Sequence, residues 1–201
     1  MKKLVTSVVA AVALSATSAF AADMPAKAVK VAVAPAPSPF DIAFGGAIMS
    51  DYNFRGVSQS NNGPSVNAYV EPQYNTGSWG TFYVGLAGYA IDWPGTPGYG
   101  FTSPSAEIDI YGGWRNTWGP FSLDLGALYY YYPSESFNGF TNNSDFLELY
   151  AKASYAITPD LTIGANVFWT PDLLNYSQTF GPGASDVNAI YFSATAKWVT
   201  P

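Results

Sequence analysis

The chain has 201 residues, 14 acidic against 8 basic, with no cysteine, no histidine, 17% aromatic and only 11% charged residues. A net charge of -6 lacks the basic footprint of a nucleic-acid binder, and without imidazole the chain loses Ser-His-Asp and Cys-His hydrolysis and most transition-metal chemistry. Soluble domains carry about 25% charged residues, so this balance, with no disulfide to staple the fold, asks for either a large core or a membrane.

Residues 1–21 read as a secretory signal: Lys2 and Lys3, an apolar run from Leu4 to Leu14, then Ala19-Phe20-Ala21 as the small-x-small cleavage site. The run is too short to span a bilayer as a helix. Export then leaves 6 basic against 14 acidic residues, a formal charge of -8. Residues 22–39, "ADMPAKAVKVAVAPAPSP", form an Ala/Pro-rich periplasmic linker.

From Phe40 to Pro201 no stretch keeps a 3.6-residue apolar period, whereas period-2 alternation recurs over 41–55, 65–75, 81–92, 105–116, 121–132, 145–157, 161–169 and 187–199. This predicts an all-β domain of eight strands over 40–201. Several segments exceed the five or six residues usual in globular strands and suit a tilted strand crossing a bilayer. Parity sorts each into two faces. On the first, Ile42, Phe44, Ile48, Tyr52 and Phe54 oppose Asp41, Gly45, Ala47, Asp51, Asn53 and Arg55. On the fourth, Ile108 and Ile110 oppose Glu107 and Asp109; on the sixth, Leu147 and Leu149 oppose Glu148 and Lys152.

A soluble sandwich or a lipocalin-like barrel would alternate in the same way, so three further features decide. Long connections (57–64, 93–104, 133–144, 170–186) alternate with the short "NTGSWG", "NTWGP" and "ITPD", as extracellular loops alternate with periplasmic turns in outer-membrane barrels. Trp79, Trp118 and Trp198 fall at one set of strand ends and Trp93 and Trp169 at the other, with the run Tyr129 to Tyr132 beside the latter, as two interfacial belts would place them. Inward glycines such as Gly45, Gly85, Gly113, Gly126 and Gly164 suit a curved wall. The expected fold is an antiparallel transmembrane β-barrel of at least eight strands, with Tyr52 and Phe54 in the lipid girdle.

The inward ionisable set is Asp51, Arg55, Glu71, Glu107, Asp109, Arg115, Asp124, Glu148, Lys152 and Lys197. These are pore-lining candidates, since opposed charges across a lumen select permeating solutes; alternatively they pair off and fill a narrow interior. Glu107 and Asp109 share a face, but no surrounding motif makes them catalytic. Gly98-Tyr99-Gly100 lacks the four-fold carbonyl ring of a potassium filter and reads as a Gly/Pro loop. No catalytic residue, metal or cofactor is expected.

"SDYNFRGVSQS", preceded by "FDIAFGGAIM" and followed by "NAYVEPQYNTG", resembles the start of the TorF-like porin family of proteobacterial outer-membrane proteins. "EIDIYGGWR" and "LELYAKASYAITPDLTIGANVFWTPD" carry the similarity through the domain. The resemblance implies an outer-membrane channel with lipid and small hydrophilic solutes as partners. The family's chains continue further, and outer-membrane barrels usually finish on a strand with a terminal aromatic, whereas this one stops at "KWVTP", an echo of "YAITPD" at a periplasmic turn. Further strands are therefore expected, and eight is a minimum.

Overall fold

A computed structural model describes residues 38–93, 101–137, 144–176 and 185–200. The signal and nearly all of the linker lie outside these residues, as does Gly98-Tyr99-Gly100. The described chain is all-β. Its main strands are β1 (Phe40–Met49), β4 (Ser65–Asn75), β5 (Thr81–Ala90), β7 (Ala106–Trp118), β8 (Phe121–Tyr131), β10 (Phe146–Ala156), β11 (Leu161–Thr170) and β12 (Ala189–Trp198). They form one antiparallel sheet in chain order, each paired with its sequence neighbour. Among the described residues no ladder joins β1 to β12, so the sheet is open at both edges. No described helix is long and apolar enough to cross a membrane.

Four short strands lie in the long connections. β2 (Asn53–Phe54) pairs with β3 (Val57–Ser58) between β1 and β4, and β6 (Phe101–Thr102) pairs with β9 (Ser136–Phe137), tying the second long connection to the third. The short turns carry their own chemistry. Thr76 Oγ1 donates to the Gly80 carbonyl at 2.7 Å, Gly119 (φ 59°) followed by Pro120 makes a two-residue turn with glycine at its first central position, and Thr158 Oγ1 accepts from the Leu161 N–H at 3.0 Å.

The sheet curls. Tyr83 on β5 donates its hydroxyl to Asp124 on β8 and reaches the Tyr150 hydroxyl on β10 at 2.5 Å, the two side chains lying over Gly113 and Gly126 of the strands between. Glu107, Asp109, Tyr130 and Glu148 on this face are each 1% exposed although no second sheet or helix layer packs on it, so the face is concave. Cross-strand glycines make room for this curvature: Tyr69 lies over Gly45, Tyr111 over Gly85 and Tyr150 over Gly126. A β-carbon added at Gly45 would sit 2.7 Å from Cε1 of Tyr69. Each tyrosine covers backbone that a glycine leaves bare.

The polarity of the two faces is inverted relative to a soluble sheet. On the convex side Phe44, Val70, Val84, Leu86, Leu125, Leu149, Ile163 and Phe192 stand exposed, all on the parity that alternation assigns to the apolar face. Trp79, Trp114, Trp118 and Phe121 cluster at the short-turn end, with Trp118 stacked on Phe121 and the Trp114 indole N–H donating to the Trp79 carbonyl at 2.6 Å.

Alternation predicts one strand running through Arg55, with Tyr52 and Phe54 on the apolar face. Instead β1 ends at Met49, the chain bends at Ser50, and Tyr52 turns into the concave side, where it is 1% exposed. The Tyr52 N–H donates to Ser60 Oγ, and Arg55 and Gly56 take positive φ as the turn of the β2–β3 hairpin. Local turn chemistry breaks the period here. Trp93 also departs from a belt position: its indole N–H donates to Gln59 Oε1 at 2.7 Å, and its ring packs on Tyr132.

Candidate functional site

The concave face gathers nearly all the ionisable residues that parity placed inward, and gathers them into two clusters. The first lies toward the long connections. Arg55 forms a bidentate ion pair with Glu148, Nη1 to Oε1 at 2.8 Å and Nη2 to Oε2 at 2.7 Å, and Tyr130 donates its hydroxyl to the same carboxylate at 3.0 Å. The Arg55 guanidinium also stands over the rings of Phe54 (4.5 Å), Phe168 (5.2 Å) and Tyr191 (4.3 Å). Beside it Glu107 accepts from the hydroxyls of Tyr52 (2.6 Å) and Tyr132 (2.8 Å). Asp109 is equally buried, and its Oδ1 has no hydrogen-bond partner.

The second cluster lies toward the short turns. Arg115 donates to Glu71 at 2.6 Å, Gln73 donates to the same oxygen at 2.8 Å, and the Arg115 guanidinium lies 3.9 Å above the Tyr83 ring. Tyr83 carries the network on to Asp124 and Tyr150. The Lys152 ammonium sits 4.6 Å from the Tyr150 ring.

Two residues of the inward set stand apart. Asp51 lies in the first connection, where it accepts from Ser58 and Ser60 and organises the loop. Lys197, on the edge strand β12, is exposed. Each side chain follows the parity of its strand: odd positions on β4, β5, β7 and β12 and even ones on β8, β10 and β11 face the concave side. Outside the strands, burial pushes the Glu135 carboxyl above the usual range, partly offset by hydrogen bonds from the Ser144 N–H and hydroxyl.

Parity puts Tyr69, Tyr111 and Tyr150 on the inward face, but sequence reasoning gave no tyrosine a place among the site residues. Tyr52, Tyr83, Tyr130, Tyr132 and Tyr150 supply hydroxyl partners to the carboxylates or to one another, and within the run Tyr129 to Tyr132 only the odd members face outward. The usable signal was shared parity: Tyr83, Tyr130 and Tyr150 fall on the same side as Asp124 and Glu148. Counting the run as a block hid it.

The second cluster sets two cations, Arg115 and Lys152, among two carboxylates, Glu71 and Asp124, whereas the first sets Arg55 among three, Glu107, Asp109 and Glu148. Among the described residues no three His, Cys, Asp or Glu are placed to hold a metal ion. An open recess of about 370 Å³ at the foot of β1, between Phe40, Asp41, Gln73 and Thr81, holds one carboxylate.

No curated protein and no solved structure matches the chain. Residues 33–199 match the model of a family described as "bacterial protein of unknown function (Gcw_chp)", and the chain belongs to that family.

Proposed function

We propose that the protein is a β-barrel of the bacterial outer membrane, exported by residues 1–21, that acts as a porin-like channel for passive diffusion of small hydrophilic solutes or ions. The observation that carries this reading is the inverted polarity of the curled sheet: a belt of exposed aliphatic and aromatic side chains outside, charged and hydroxylic side chains inside. In water such a belt is far larger than the few hundred Å² of exposed apolar patch a soluble monomer carries. In lipid it is the outward surface a barrel needs. Main strands of 10 to 13 residues match the length a tilted transmembrane strand requires. The tryptophan cluster at the short-turn end matches an interfacial girdle. Closure requires the β1 and β12 edges to pair, directly or through additional strands, because open backbone edges have no hydrogen-bond partners in lipid.

A second reading has a specific observation behind it. Glu107, Asp109, Glu148 and Tyr130 are each only 1% exposed, so the interior near the long connections is filled, as in a structural barrel that conducts nothing. Single-channel recording in planar bilayers separates the two. The channel reading predicts small, discrete conductance steps with mild cation preference; persistent silence from correctly folded protein favours the structural barrel.

A further inference from the structure

The connection between β1 and β4 does not extend away from the sheet. From Ser50 it folds back across the concave face as the β2–β3 hairpin, whose turn is Arg55 (φ 52°) and Gly56 (φ 88°). A left-handed backbone at a long, branched-headed residue such as arginine is strained, and it persists only where surrounding contacts over-determine it. An ordinary hairpin tip would leave this arginine in water. Here its side chain is 18% exposed and forked onto Glu148 of β10, with the rings of Phe168 on β11 and Tyr191 on β12 around it.

The remaining contacts point the same way. Tyr52 stacks on Tyr89 at 4.8 Å and donates to Glu107 on β7, and Phe54 meets the edge of Tyr130 at 5.8 Å. The return limb is tied down by the Gln59 carbonyl, which accepts from the Asp92 N–H at 2.8 Å, and by the Gln59–Trp93 bond. The hairpin thus starts from one edge strand and reaches groups on β5, β7, β8, β10, β11 and the opposite edge. It crosses the interior rather than following the wall.

We propose that Asp51–Ser60 is an inward-folded plug, latched by the Arg55–Glu148 ion pair, that closes the long-connection end of the pore and whose release opens it. This rests on the channel reading. It is held by discrete contacts, namely the forked ion pair, the Tyr52–Glu107 bond, two bonds at Gln59 and the rings around Tyr52, Phe54 and Arg55, with no extended ladder to the main sheet. That makes it the separable part of the interior, since a segment outside the main hydrogen-bonded sheet can open without unpairing any of its strands. Arginine is the residue the latch needs, because only the guanidinium fork meets both carboxylate oxygens at once.

The chain has no cysteine, so a single Ser60→Cys reporter, at a position 6% exposed, reads the hairpin directly. Labelling by a charged maleimide would be followed in lipid vesicles, alongside planar-bilayer conductance, for the reporter chain and for Glu148→Gln and Arg55→Lys in that background; a chain with residues 51–60 replaced by a Gly/Ser linker, which lacks the reporter, would be read by conductance alone. Heat-shifted gel mobility checks that each variant folds, and Arg55→Lys, which keeps the charge and loses the fork, carries the test if Glu148→Gln does not fold. The proposal predicts that breaking the latch speeds labelling about tenfold or more, because reaction tracks the open population, and that conductance rises in the same variants and most in the linker chain. Labelling that is equally fast with and without the latch overturns the latch, whatever the conductance. Faster labelling with conductance unchanged between conducting chains overturns the plug and leaves the channel. Silence from every folded variant, the linker chain included, removes the channel reading and the plug with it.

Discussion

Leu125→Arg puts a charge at the centre of the sheet's convex face, where Leu125 is 42% exposed on β8. An 11-residue strand rises about 36 Å and, tilted near 40°, spans about 28 Å of membrane thickness; Leu125, four residues from the Phe121 end, then lies within about 4 Å of the midplane. A lipid-facing arginine there costs about 2 to 4 kcal/mol. The comparison is Ser193→Arg, also mid-strand but on the concave side of β12, where it gives up one hydrogen bond from Asn166 at 3.1 Å, about 1 kcal/mol. Urea titrations of protein folded into phospholipid vesicles, read by tryptophan fluorescence, measure both. The account predicts that Leu125→Arg loses more stability than Ser193→Arg by about 1 to 3 kcal/mol. If the convex face meets water, an arginine at a half-exposed leucine costs little, so equal effects or a harmless Leu125→Arg would refute the reasoning.

Purified protein in detergent is expected to migrate faster unheated than boiled on a denaturing gel and to give β-type circular dichroism; a monomer soluble without detergent would contradict this. Gly85→Ala drives a β-carbon into the Tyr111 ring and should cost about 1 to 3 kcal/mol in the same urea assay. In a Tyr111→Ala background most of that cost should disappear, and additive effects would show that the pair does not interlock. Removing Arg115 strands Glu71, 5% exposed, and because the arginine is itself partly solvated the loss should be about 1 to 3 kcal/mol rather than the larger figure for fully buried pairs, measured against Arg115→Met/Glu71→Gln as a double-mutant cycle. Neutralising Glu107 and Asp109 together should shift reversal potentials toward anions strongly in the chain whose hairpin is replaced and only weakly with the hairpin in place, since both carboxylates lie behind it.

Eight strand positions and their faces were legible because a half-buried strand writes itself as period-2 alternation, and from β4 to β12 nothing interrupts that period. It failed after Met49. Tyr52 and Phe54 keep the parity of Ile48 in the sequence, yet the bend at Ser50 and the Arg55–Gly56 turn carry both into the interior. The dipeptide Arg-Gly was the only local sign of a tight turn, and arginine is not a residue that ordinarily signals positive φ. The ionisable set was legible by type and face, whereas its pairing was not: Arg55 and Glu148 are 93 residues apart, and only the curl of the sheet brings them together. The tyrosine hydroxyls were hidden for a related reason, since one residue type serves both faces of the same strands.

The central claim is that the convex face meets lipid, and a nitroxide scan along β10 tests it most directly. Labels at Leu147, Leu149, Ala151 and Ala153, with one at Val57 in the first connection as an aqueous control, would be read in vesicles by collision with oxygen and with a water-soluble nickel chelate. The account predicts oxygen-rich, chelate-poor signals at all four β10 sites, deepest near Ala151, and the opposite at Val57. Chelate collisions at Leu149 and Ala151 as frequent as those at Val57 would place that face in water and contradict the account.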